Sequence, residues 1–151
     1  MKRGVSFEIP QQTADTLWQI LSAIDIYKYF WVVIEDQTEV WDSRYENDFF
    51  RQRCYTGKNF AKCIQQDHHI VFLKLQAYLL PHAFQNVLSY EEFMAGDCQF
   101  VMLIYDCENV EVYIKDRAVL DSVFNRANAL GYYNVNFITD LNDTRTKMNV
   151  L

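Results

Sequence analysis

The sequence predicts an α+β fold: a mixed or mostly antiparallel sheet with two principal helices packed against it, in a single domain over residues 1–151. Three observations lead there. Half the residues are hydrophobic and only four are glycine and two proline, which is core composition rather than linker composition. Several segments alternate apolar and polar with the period of a half-buried strand. Two others carry apolar stripes of helical period with cap signals at their starts. A chain of this length removes roughly 68–70% of its extended surface on folding, enough for a core without metals or crosslinks.

Val5, Phe7 and Ile9 alternate with Ser6 and Glu8 as a first strand, which Pro10 stops by removing a backbone donor. Thr13 then stands where a helix cap belongs, and Leu17, Ile20, Leu21 and Ile24 recur along one helical face. Tyr29–Ile34 reads as a strand that the polar run Glu35–Thr38 turns back into Glu39–Trp41 as a hairpin. Residues 42–67 are the least periodic part, with a short helix expected near Asn59–Gln65. Ile70–Tyr78 returns to strand composition, with Lys74 and Gln76 on one face and Leu73, Leu75 and Ala77 on the other.

Ser89-Tyr90-Glu91-Glu92 has the form of a capping box, Leu88 and Phe93 are spaced as its hydrophobic staple, and Gly96 offers a left-handed exit. Gln99–Tyr105 and Val110–Lys115 form a hairpin around 106–109, and the nearly continuous apolar run of the first arm marks a central strand. Asp116 caps the best-defined helix, whose stripe is Leu120, Val123, Phe124, Ala127 and Leu130 and whose end is Gly131. Tyr133, Val135 and Phe137 alternate as a final strand.

The start Met1-Lys2-Arg3-Gly4 is followed by an alternating, charged segment rather than a signal-peptide apolar region, and no apolar stretch approaches the roughly 20 residues of a membrane span. A cytoplasmic protein with reduced cysteines and no membrane contact is expected. The formal charge of −6 disfavours nucleic-acid binding. Cys54, Cys63, His68 and His69 are metal-ligand types, but the eight-residue gap between the cysteines lacks a zinc knuckle, and adjacent histidines on a strand face opposite ways. No metal and no cofactor is expected. Thr56-Gly57-Lys58 lacks the glycine frame of a phosphate loop, and no catalytic motif occurs. His82, after Pro81 at a strand exit, is the histidine to inspect beside Cys54 or Cys63.

Two polar clusters remain as candidate ligand or partner sites. Arg51 and Arg53 lie in a basic segment interleaved with Tyr45, Phe49, Phe50, Tyr55 and Phe60. Asp140, Asn142, Asp143 and Arg145 follow the last strand, where a loop can present a guanidinium to an anion. The alternative for this second cluster is a local turn whose groups satisfy one another. From Ser89 to Asp143 ten acids face three bases, so the acidic C-terminal half suits a basic protein partner. The leading expectation is a noncatalytic protein-interaction or small-ligand-binding domain, with an immunity or regulatory role. The other is a small enzyme acting on an anionic substrate through the 139–147 loop.

Lys2–Pro10, Tyr105–Lys115 and Ile138–Thr146 together resemble a family of small uncharacterised proteins from Bacillus and its relatives. The resemblance spans nearly the whole chain. It implies a bacterial, cytoplasmic protein and brings no catalytic residues with it.

Overall fold

In the computed structural model, which describes residues 1–81 and 84–151, eight strands form one antiparallel sheet. In chain order the elements are β1 (Lys2–Glu8), α1 (Thr16–Leu21), β2 (Phe30–Val33), β3 (Glu39–Asp42), β4 (Cys54–Tyr55), α2 (Gly57–Ile64), β5 (His68–Tyr78), α3 (Tyr90–Ala95), β6 (Cys98–Tyr105), β7 (Asn109–Ile114), α4 (Arg117–Ala129) and β8 (Tyr133–Thr139). The strand order is β4-β2-β5-β6-β7-β1-β8, with β3 beside the start of β5. Helices pack on both faces, so the α+β fold with a mostly antiparallel sheet is the observed architecture. His82 lies outside the described residues.

The strand periods set the two faces. Val5 and Phe7, Trp31 and Val33, Phe100 and Met102, and Val110 and Val112 turn to the side covered by α1, α2 and α4. Trp31 anchors that core: it is fully buried, stacks on Phe60 at 4.8 Å, meets Phe100 edge-on at 5.4 Å and donates its indole N–H to the Ile26 carbonyl at 3.0 Å. α4 starts as the sequence predicts, with the Asp116 carboxylate accepting from the amides of Ala118 and Val119, and Gly131 leaves it at φ +75°. α4 joins β7 to β8, which are mutually parallel because both pair antiparallel with the inserted β1. That insertion needs Gly4, since a Cβ there would sit 1.8 Å from the Val112 carbonyl oxygen.

Several local expectations are corrected. β2 and β3 do not pair with each other across Glu35–Gln37; both pair with β5, whose eleven residues accommodate β3 at Phe72 and before and β2 at Leu75 and beyond. Thr13 does not cap α1. Its first turn is closed instead by Thr16 bonding back to Thr13 and by His68, whose Nε2 accepts from the Leu17 amide at 3.2 Å. Gly96 is extended at φ −101°, and Leu88 stays exposed rather than stapling Phe93. Thr56 caps α2 through the Asn59 amide, and Gly57 is required by the Ile26 carbonyl 2.5 Å from its Cβ position. The phosphate-loop letters are thus a helix start packed against the backbone.

The second face carries a smaller core of Val32, Ile34, Val101, Leu103, Tyr113 and Ile138. Residues 84–95 and the C-terminal tail cover it with Val87, Phe93 and Met148. The polar side chains of β5 hold this cover. Lys74 Nζ donates to the Val87 carbonyl, Gln76 bonds the Val87 amide at 2.9 Å and the Gln85 carbonyl at 2.7 Å, and the Tyr78 hydroxyl donates to the same carbonyl at 2.7 Å. All three are buried. Burial drives the Lys74 pKa down to about 8 from 10.5, against the pull of Cys98, Asp36 and Glu92.

The folded state therefore releases this proton near pH 8 while the unfolded chain holds it to about 10.5. The unfolded state binds more protons across that window, so stability from this group is complete above the unfolded pKa and is lost as pH falls through about 8. Between pH 8 and 9.5 the gain is about 1.4 kcal/mol per pH unit. Urea denaturation of the wild type and Lys74→Met at pH 7 and 9.5 should show the wild type gaining about 2 kcal/mol on the variant. An unchanged difference would mean that Lys74 does not titrate in this window.

Candidate functional site

The loop after β8 is built around Thr139 and Asn142. The Thr139 hydroxyl accepts from the amides of Leu141 and Asn142 at 3.3 Å each, while the Asn142 side chain accepts from the Thr139 amide at 2.7 Å and donates to the Phe137 carbonyl at 3.0 Å. Asn142 thus serves the free edge of β8 as a neighbouring strand would.

The charged residues of the loop are engaged within the chain. Arg3 donates to Asp140 at 2.9 Å and to Asp143 at 3.1 Å, and the N-terminal amine lies 3.2 Å from Asp140. The Arg3 hydrogen bond and the terminal amine hold the Asp140 carboxyl below its usual range. Asp143 also accepts from the Tyr113 hydroxyl at 3.1 Å. Burial and the Asp143 charge push the Tyr113 pKa up, so it stays a donor. Arg145 forks onto Glu111 at 3.1 and 2.6 Å and donates its remaining nitrogen to the carbonyls of Lys147 and Asn149 at 3.1 and 2.7 Å. The structure brings Asp140, Asn142, Asp143 and Arg145 together. The partners unseen in the sequence are Arg3, Tyr113 and Glu111, each supplied by a strand under the loop.

Beside this loop an open groove of ≈ 450 Å³ runs over β7, β1 and β8. Its floor is a cross-strand row in which Ser6 faces Glu111 on one side and Asn136 on the other, and a second in which Glu8 faces Asn109. Asn142, Asp143 and Thr144 form one wall, and Tyr105 lies on the opposite side of β7. The Asn136 amide donates one hydrogen to the Asn134 carbonyl, and the Asn134 amide donates one to Glu8. Glu8 has no ion-pair partner among the described residues. Ser6, Glu8 and Glu111 share the outward phase of their strands, a signal present in the sequence alternation once β1 is known to lie beside β7.

Arg51 and Arg53 are exposed at the far end of the strand order, beside β4. Arg53 lies 3.8 Å from Glu35, both largely in solvent, and Arg51 enters no ion pair among the described residues. Four of the five interleaved aromatics turn inward: Phe49, Tyr55 and Phe60 are buried, and Phe50 stacks on Phe60 at 6.2 Å, while Tyr45 stays exposed. The two candidate clusters therefore do not share a surface. His68 is also internal, with Nδ1 2.7 Å from the Gln66 carbonyl and its pKa lowered by burial. Among the described residues, no group of three or more His, Cys, Asp or Glu side chains is placed to hold a metal ion.

A family model described as "Protein of unknown function (DUF2691)" matches residues 2–149, nearly the whole chain and every element of the site. The chain belongs to this family. It is also similar to the "Uncharacterized protein YncE" of Bacillus subtilis (strain 168), 31% identical over 153 residues, which cover 99% of this chain and 100% of that relative. The resemblance read from the sequence holds at the level of an uncharacterised family with a Bacillus member. No solved structure matches the chain. No helix among the described residues is long and apolar enough to cross a membrane.

Side-chain exposures of 19% for Arg145 and 18% for Glu111 put the fork in a largely desolvated position. Arg145→Ala would leave Glu111 and two tail carbonyls without their donor, at a cost of about 2–3 kcal/mol. Urea denaturation should show this loss, and hydrogen exchange should quicken at residues 147–151. Loss below about 1 kcal/mol would class the fork with ordinary surface pairs.

Proposed function

We propose that the domain is a noncatalytic binding module whose groove over β7, β1 and β8 takes an amine-bearing group, on a small molecule or on a basic protein partner. One observation carries the reading: the amide donors of the groove are turned onto the chain itself. The side chains of Asn134, Asn136 and Asn142 donate to Glu8 and to backbone carbonyls. The Glu8 carboxylate then remains in the groove as a charge that no ion pair cancels, and no lysine or arginine among the described residues lines it. An ammonium group, three donors with a positive charge, is the complement.

The enzyme reading would require Asp140, Asp143 or Arg145 to leave partners that occupy them in the resting fold. Binding asks for no such release. The acidic bias of residues 89–143 favours approach of a cation at low ionic strength. We place the module in the cytoplasm, in an immunity or regulatory role.

Thermal unfolding with spermidine, glucosamine and a lysine-rich peptide, each at low and physiological salt, tests the reading. A ligand at ten times its Kd stabilises by about 1.4 kcal/mol, which raises Tm by about 3 °C for a chain of this size. Glu8→Gln should reduce the shift, and Asn136→Trp, at an exposed position inside the groove, should abolish it. No shift with any of the three, or equal shifts in both variants, would overturn the proposal.

A further inference from the structure

At the β6–β7 turn, Asp106 and Cys107 are both left-handed, at φ +53° and +66°. Aspartate is among the residues enriched in that region, whereas cysteine is not. The turn is fixed against the start of β5. The Cys107 amide donates to the Val71 carbonyl at 3.1 Å, and the Gln12 side chain donates to the carbonyls of Cys107 and Ile70 while accepting from the Ile70 amide. This places the Cys107 sulfur 4.0 Å from Nε2 of His69, whose ring packs against Tyr45 at 5.5 Å. Both residues are partly exposed.

A thiol beside an imidazole has two familiar uses. A nucleophile needs surroundings that favour the thiolate, and here burial, Asp106, Glu108 and Glu39 all push the Cys107 pKa up. The same three carboxylates favour a cation placed against the sulfur. Metal–sulfur and metal–nitrogen bonds of about 2.3 and about 2.0 Å at a tetrahedral angle would bring the two atoms to about 3.5 Å. The observed 4.0 Å, a thiol–imidazole hydrogen-bond contact, lies within about half an ångström of that separation. No third His, Cys, Asp or Glu among the described residues completes a set. A thiolate with an imidazole selects soft ions, of which Cu(I) tolerates low coordination.

We propose that Cys107 and His69 form a two-ligand site for a soft monovalent metal ion, Cu(I). On binding, the Cys107 thiol passes its proton to solvent, the sulfur and His69 Nε2 coordinate the ion, and copper enters and remains as Cu(I) with no electron transferred.

The test is anaerobic titration of the full chain with Cu(I) against a chromogenic Cu(I) chelator. One equivalent should bind, with affinity reduced at least 100-fold in Cys107→Ser and at least 10-fold in His69→Gln. Cys54→Ser, which removes the exposed cysteine elsewhere on the sheet, should bind as the wild type does. Cys107→Gly relieves the left-handed residue while deleting the sulfur, so a folded variant that has lost the site separates coordination from unfolding. X-ray absorption of the loaded protein should give one sulfur and one nitrogen scatterer. No binding, binding that survives in Cys107→Gly, or binding lost in Cys54→Ser would each overturn the proposal.

Discussion

A row of three side chains on β5 determines how the second face of this sheet is closed. Among the described residues no strand pairs with the segment from Gln85 to Leu88, yet it lies over buried surface, where unpaired backbone groups are costly. Lys74, Gln76 and Tyr78 supply the missing partners from below. With that segment fixed, the Leu88 carbonyl accepts from the Met148 amide at 3.0 Å, and the tail lies down with Met148 buried. The tail in turn offers the two carbonyls that orient Arg145 toward Glu111. The groove wall thus traces back, contact by contact, to polar residues in the middle of a central strand. Lys74 has a backbone carbonyl as its partner, so its burial carries a desolvation cost that the packing of Val87, Phe93 and Met148 must offset.

That dependence also explains which parts of the fold were legible in the sequence. Alternation in Val5–Ile9, Val110–Ile114 and Tyr133–Phe137 is a local property, and these strands form where the pattern puts them. The Asp116 cap and the Ser89 cap are equally local. Lys74 and Gln76 were legible as one polar face, and such a face ordinarily meets water. Their burial depends on a segment nine or more residues along the chain, beyond the end of β5. The failed hairpin at Glu35–Thr38 has the same origin: turn chemistry fixes a reversal of direction, while the pairing partner is decided by how much edge β5 offers.

The 139–147 cluster was visible as a concentration of polar residues, and its use was not. Asp140, Asp143 and Arg145 are close in sequence, but their countercharges arrive from β1 and β7 because β1 inserts between β7 and β8. The segment around Arg51 differs in the opposite direction. Of the aromatics interleaved with its arginines, Tyr45 stays on the surface, whereas Phe49, Tyr55 and Phe60 supply the core beneath β2 and β4. Interleaving in sequence gave no information about the side of the chain on which each ring falls.

An antiparallel sheet tolerates one face in water, so an uncovered polar floor over β7, β1 and β8 is not by itself evidence of a ligand. The charge on that floor is more specific. A solvated sheet face ordinarily mixes acids and bases in cross-strand pairs. Here Glu8, Glu111 and Asp143 line the groove and, among the described residues, no base does. Arg145 and Arg3 neutralise Glu111 and Asp143 from outside its lining. Among the described residues Glu8 receives the Asn134 amide alone, a neutral donor that fixes the carboxylate's position without cancelling its charge. Had solvation been the sole requirement, a lysine at Asn136 would have served on the same strand; Asn134 stands at φ +51°, a conformation asparagine tolerates better than lysine. The amides keep the negative charge exposed and held in place, which is the condition a cation needs in order to bind there.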